Sequence, residues 1–167
     1  MRSTPSLMIR KNGLIRGEHR APWECTFAKE DKNQCKPGIP LKSDQEYFEI
    51  LCLCILQAGL GWGMVRKNWA KLKRGFYGFD VQKLAKAEGD ELIKRDGVIK
   101  HKKKVEAIIK NAKEFQNIKR EEGSFSDFLK RLKEREEKEA IRILSEKLAH
   151  LGKYSAEYYL HSVGYWR

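Results

Sequence analysis

The stretch D-Q-E-Y-F-E-I-L-C-L-C-I-L-Q-A-G-L-G-W-G, residues 44–63, decides the fold. At about 100° per residue, the apolar side chains of its first fifteen residues fall nearly all the way round a helix, so the helix is expected to be buried on several sides. Ser43 or Asp44 can cap its start by accepting from the free amides of the first turn, and the helix is expected to run to about Ala58. Tyr47, Ile50, Cys54, Gln57 and Ala58 share one sector. A buried glutamine there needs partners, because leaving its amide unpaired costs about 1 to 3 kcal/mol. Gln57 can find them on backbone carbonyls, at the end of its own helix, or on a ligand. Gly59 then ends the helix, while Gly61 and Gly63 leave room for another backbone or a phosphate. Leu60 is thereby held out on a turn, followed by the flat indole of Trp62. Such a pair suits a protein that lifts a base from the stack, one residue as wedge and the other as platform. A Trp after a turn also packs as core, and the residues alone leave both readings open.

Outward from this stretch the signals remain helical. Val65, Trp69, Leu72 and Phe76 form one stripe, Val105, Ile108, Ile109, Ala112 and Phe115 a second, and Phe125, Phe128, Leu129 and Leu132 a third. Asp80 and Asp90 stand where N-caps of two short helices belong. The charge run K-E-R-E-E-K-E, 133–139, reads as a helix or a linker, and a last pair of helices is expected over Leu144–Leu151 and Ser155–Val163 with Gly152 at the joint. Residues 1–42, punctuated by Pro5, Pro22, Pro37 and Pro40, read as an extended arm. No alternating strand pattern competes, so the fold class is all-α.

Composition narrows the partners. A chain of 167 residues with 41% hydrophobic content can bury a core without staples. The net charge of +12 must be balanced within a Lys/Glu-rich surface or used on a polyanion, nucleic acid first. The longest apolar run, Ile50 to Leu56, is far short of the ~20 residues a membrane span needs, and the start lacks the apolar core of a signal peptide. A soluble, cytoplasmic chain is therefore expected. Cys52 and Cys54 lie about 200° apart on their helix and cannot close on one metal from it. Cys25 and Cys35 can be two ordinary thiols, a disulfide or part of a metal site.

Longer segments carry a resemblance. "EYFEILCLCILQAGLGWGMVRKNW", "FYGFD", "DGVIKHKKKVEAIIKNAKEF" and "LSEKLAHLGKYSAEYYLHSVGY" are similar to the 3-methyladenine DNA glycosylase I family of the helix-hairpin-helix glycosylase superfamily. The similarity spans roughly residues 44–118, and 144–165 more loosely. It implies an all-α, two-lobed helical bundle of the helix-hairpin-helix DNA glycosylase type with a nucleobase pocket between the lobes. Leu60, beside Gly59, matches the family's DNA wedge, and Trp62 its stacking residue. Gln57 matches the glutamine before the turn, and Tyr47 lies on the same sector, so the implied base-binding pocket is Trp62, Gln57, Cys54 and Tyr47. Cys54 stands where the family has its pocket carboxylate. A thiol supplies negative charge only if it ionises, which burial opposes. The catalytic residue is thus unassigned.

"LAHLGKYSA", 148–156, fits the superfamily hairpin, with His150 at its first glycine, Gly152 at its second and Ser155 at its Ser/Thr position. The implied phosphate contacts are Gly152, Lys153, Tyr154 and Ser155, at backbone amides that open a helix. Tyr154 stands where strand-cutting members carry a Schiff-base lysine, so no lyase step is expected. The family's YHDxEWG segment is missing, with Trp23 or Phe27 as replacements for its stacking surface. Its zinc clip has no counterpart either, so no structural metal and no cofactor are expected. The basic residues Lys94, Arg95, Lys100, Lys102, Lys103, Lys104, Lys110 and Lys113 form either a phosphate-tracking surface or a solvated face.

The sequence therefore reads as an arm, 1–42, and a helical domain, 43–167, divided into a main lobe, 43–132, and a helix-hairpin-helix, 144–165. The expected function is DNA repair by a monomeric, monofunctional glycosylase at the nucleoid. It would flip an alkylated or otherwise damaged, 3-methyladenine-like base out of double-stranded DNA and hydrolyse its N-glycosidic bond. The alternative is a non-catalytic protein of the same fold that recognises damaged or distorted DNA.

Overall fold

The computed structural model describes residues 41, 43–57 and 67–165, and all of its elements there are helical. The expectations for the arm, including Trp23, Phe27 and the pair Cys25 and Cys35, lie outside the described residues.

Helix α1, Asp44–Gln57, is the axis of the fold. Tyr47, Phe48 and the unbroken run Ile50–Leu56 are buried, as the all-round apolar wheel requires. Around it pack α5, Lys102–Glu122, α6, Phe125–Lys133, and α8, Lys153–Ser162. Each large apolar side chain removed from water contributes roughly 1.5 to 3 kcal/mol, and ring pairs add directional contacts. Phe125 is where the four helices meet: its ring stacks on Phe115 at 4.1 Å and lies 5.6 Å from Tyr47 and 6.4 Å from Tyr159.

The caps show how the sequence sets these helices. Ser43 Oγ accepts from the Glu46 amide at 3.2 Å and so caps α1. Asp44, the other candidate, reaches across the fold instead, and its two carboxylate oxygens accept from the Phe125 amide at 3.0 and 3.1 Å. Ser124 caps the same helix through the Asp127 amide at 3.0 Å. Gly123, at φ 99°, ends α5 in a left-handed turn that a side chain would resist.

Shorter helices close the other side: α2, Trp69–Gly75, α3, Val81–Ala85, and α4, Gly89–Leu92. Asp80 caps α3 through the Lys83 amide at 2.9 Å, as expected. Asp90 does not cap α4. That helix begins at Gly89, two residues before the start that a cap at Asp90 implies, with Glu88 in the extended N-cap conformation and Asp90 in the first turn, where its carboxylate suits the helix dipole. The turn Tyr77–Phe79 has three successive positive φ angles, 57°, 68° and 57°. The Gln45 amide braces it by donating to the Phe79 carbonyl and accepting from the Val81 amide at 3.4 Å.

Helix α7, Glu137–Lys147, corrects the expected span Leu144–Leu151. It starts inside the charge run because Glu137 and Glu139 favour an N-terminus and Arg135 and Arg142 pair with Glu139 at 3.3 and 3.6 Å. Its partner α8 begins at Lys153, two residues before the expected Ser155.

Candidate nucleic-acid interface

The turn between α7 and α8 has the shape that the resemblance implies, with its glycine roles divided differently. His150, which stands at the first glycine of the superfamily hairpin, sits in the left-handed region at φ 57°. Gly152 has an ordinary φ of −70° and is the N-cap of α8, so it is not the C-cap of an ordinary helical corner. A side chain at Gly152 would point into open space, since nothing lies within 4 Å of where its Cβ would be. Its backbone has no need of glycine. What glycine provides here is room beside the opening amides of α8, for no side-chain cap of that helix is found among the described residues and its first regular bond is from the Ala156 amide to the Gly152 carbonyl at 2.8 Å.

Lys153 and Tyr154 are exposed beside those amides, Ser155 is half-buried, and Tyr154 packs edge-on against Tyr158 with ring centres 4.9 Å apart. The structure thus gathers Gly152, Lys153, Tyr154 and Ser155 at one helix N-terminus with positive charge, a surface suited to a phosphate. Gly152→Leu should weaken binding to duplexes of every sequence alike, by about tenfold, through loss of backbone approach to phosphate. The accompanying stability loss should be only about 1 kcal/mol, as for other poor N-caps. Titration of labelled duplexes beside thermal melting checks both.

Two buried polar side chains tie this turn and the end of α1 to α5. Asn111 donates from Nδ2 to the Ala149 carbonyl at 3.1 Å and accepts at Oδ1 from the Ala149 amide at 2.7 Å. Lys104, only 3% exposed, donates from Nζ to the Leu56 carbonyl at 3.1 Å, in the last turn of α1. Burial pushes its ammonium below the usual lysine range. His101, the N-cap of α5, accepts at Nδ1 from the Lys104 amide at 3.4 Å, and its ring lies 6.2 Å from that of His150. Burial first, and then Lys104, His101 and Lys103, hold His150 below the ordinary imidazole range, favouring its neutral form.

The expected pocket residues on α1 are placed unevenly. Cys54 and Tyr47 are fully inside the core. Burial pushes the Cys54 thiol well above its usual range, so no thiolate replaces the carboxylate the family carries there. Tyr47 accepts at its hydroxyl from the Leu41 amide at 3.1 Å, and its carbonyl accepts from the Tyr159 hydroxyl at 2.7 Å. Gln57 is half-buried at the end of α1 rather than sealed within the core, because that end is the last turn of the helix. Gly59, Leu60 and Trp62 lie outside the described residues.

The basic surface divides. Arg95 donates from Nε to the Gly75 carbonyl at 2.8 Å and lies over the Tyr77 ring at 3.9 Å, and Lys100 donates to the carbonyls of Ile93 and Arg95. With Lys104 these cations serve backbone carbonyls, while Lys94, Lys102, Lys103, Lys110 and Lys113 are exposed. On the side of α8 that meets α7, Glu137, Glu157 and His161 bring possible ligand atoms within 4.8 Å of one another. Two of the three, His161 and Glu137, are already joined by a 2.6 Å hydrogen bond. Sequence reasoning counted Lys104 with the basic surface, where burial now corrects it, and passed over Asn111, because they stand among lysines and polar residues. Their spacing with Ile108 and Phe115, at 104, 108, 111 and 115, would have placed both on the buried face.

Comparisons with known proteins agree with this geometry. The methyladenine glycosylase family profile matches residues 33–155. The chain is 38% identical over 95 residues to the DNA-3-methyladenine glycosylase of Haemophilus influenzae, covering 55% of this chain and 51% of that protein. It is 33% identical over 95 residues to DNA-3-methyladenine glycosylase 1 of Escherichia coli, with the same coverage of 55% and 51%. The chain therefore spans about half the length of the curated relatives it matches. The 3-methyladenine DNA glycosylase I structure from Staphylococcus aureus aligns with 84% of this chain and 89% of its own, at a TM-score of 0.69 and 25% identity. With described residues whose elements are all helical and a match that spans most of its length, this chain belongs to the methyladenine glycosylase family.

Proposed function

We propose that the chain is a monofunctional DNA glycosylase that hydrolyses the N-glycosidic bond of an alkylated, 3-methyladenine-like base. Its partner is duplex DNA, and it acts as a monomer in the compartment that holds the DNA, the cytoplasm. No helix among the described residues is long and apolar enough to cross a membrane. The observation that carries the reading is the open N-terminus of α8 at the Gly152 turn, in a chain of this family.

In this reading the opening amides of α8 and Lys153 grip a phosphate of the damaged strand. Leu60, next to Gly59 in the sequence, fills the place of the extruded base, and Trp62 offers the face on which that base lies. Gln57 reads an edge of the base from the end of α1, while Tyr47 and Cys54 shape the floor from within the core. Water attacks C1′ of the sugar and gives up a proton to solvent, the bond from C1′ to the base nitrogen breaks, and its electron pair leaves with the base. An alkylated, cationic purine departs as a neutral molecule, so the leaving group is good without a strong acid. The pocket is left to provide orientation and water exclusion.

Because Cys54 is held neutral, attraction to the cationic base rests on ring stacking rather than on a carboxylate. Tyr154 carries no amine able to form a Schiff base. A duplex with one 3-methyladenine, incubated with the protein, should break only after alkali, and borohydride should trap no covalent complex. Strand breakage without alkali would overturn the monofunctional assignment.

A further inference from the structure

We propose that α5 is a spacer that fixes the phosphate-gripping turn relative to the end of α1, with Lys104 and Asn111 as its positioning residues. Among the described residues the buried polar side chains are Lys104, Asn111 and Ser162. Ser162 turns back on its own helix, donating to the Tyr158 carbonyl at 2.7 Å. Lys104 and Asn111 instead reach main-chain atoms of two other segments. They stand seven residues apart, two turns along one face and roughly 10 Å along the axis of a continuous helix. Lys104 holds the Leu56 carbonyl, one residue before the end of α1, and residues 58–62 follow in the sequence. Asn111 holds both main-chain polar atoms of Ala149, the residue before the left-handed His150 and three before Gly152.

The arrangement has a physical logic. A cation at the C-terminal carbonyls of a helix is favoured by its dipole, and the buried site makes that bond directional. His150 holds a backbone conformation that costs a residue with a Cβ roughly 1 to 2 kcal/mol, and it persists only if its surroundings dictate it. The two bonds from Asn111 to Ala149 do so. Neither side chain touches the base or the phosphate in this account, so each acts through the segment it holds.

This inference rests on the proposed glycosylase reading, and its test separates the two. For Lys104→Met, which keeps the stem and loses the donor, affinity for undamaged duplex should stay within about threefold, while single-turnover base release at saturating protein falls by about tenfold or more. For Asn111→Leu the pattern should reverse: affinity for any duplex falls by about tenfold, and the saturated rate stays within about threefold. A purely structural role would move both readouts together in both variants, and that result would overturn the proposal. If either variant does not fold, Lys104→Gln, with a donor on a shorter stem, and Asn111→Asp, which keeps only the acceptor, should show the same split at smaller size. Should the unmodified protein release no base, the glycosylase reading fails by itself. Fluorescence of 2-aminopurine next to an abasic site then reports extrusion. Lys104→Met should lower it without changing affinity, and an unchanged signal would overturn the spacer.

Discussion

Trp62→Ala should reduce single-turnover release of a methylated base by about a hundredfold while affinity for undamaged duplex changes by no more than about threefold. The size follows from stacking. A base lying on an aromatic ring gains roughly 1 to 3 kcal/mol, and in a hydrolytic pocket without a charged partner that contact also fixes the orientation of the sugar. Cys54, buried and un-ionised, contributes no charge to replace it. In the proposed reading undamaged DNA is gripped through phosphates at the start of α8, which the indole is not needed to meet. Trp62→Phe should recover most of the rate, because it keeps a ring face. Single-turnover assays with the three proteins make the comparison, and equal losses of affinity and rate in Trp62→Ala would remove the platform from the mechanism.

Gly97→Ala should destabilise the fold by about 3 kcal/mol or more, from overpacking together with a left-handed backbone. Gly97 has φ 92°, and a Cβ there would meet the Lys71 carbonyl oxygen at 2.4 Å. Its neighbour in space, Gly75, is equally confined, for a Cβ on Gly75 would lie 2.7 Å from the Gly97 carbonyl carbon and 2.9 Å from the Asp96 oxygen. These are backbone atoms of two segments laid directly against each other and tied by Arg95 to the Gly75 carbonyl, so neither can yield. For a chain of this size the loss corresponds to a melting temperature lower by roughly 6 to 12 °C. An unchanged melt would mean that α2 and the loop after α4 can separate freely.

The sequence made the helical class visible because burial repeats along it. The stripe Val105, Ile108, Ile109, Ala112, Phe115 is the inner face of α5, and the all-round apolar segment from Tyr47 to Leu56 is the helix that others surround. Helix ends were harder to read. Asp90 has the chemistry of a cap but lies within the first turn, and the start of α7 is hidden in a charge run whose ion pairs form only once the helix exists. Contacts between distant segments leave no local signal. The bond from Asp44 to the Phe125 amide joins residues 81 apart, and nothing near Asp44 announces it. The grouping of residues at one helix N-terminus was legible where short-range geometry decides it, as at Gly152, Lys153 and Ser155. The site was not legible where a lysine in a run of lysines proves to be the buried one.

The central claim is that a damaged base leaves the duplex, enters this fold and is cut from its sugar. Duplex DNA carrying labelled 3-methyladenine, incubated with an excess of the protein and followed by chromatography of the soluble fraction, tests it directly. The account predicts free 3-methyladenine in that fraction, with the DNA strand left continuous. No released base, alongside tight binding to the same duplex, would contradict it and leave a protein that recognises damage without removing it.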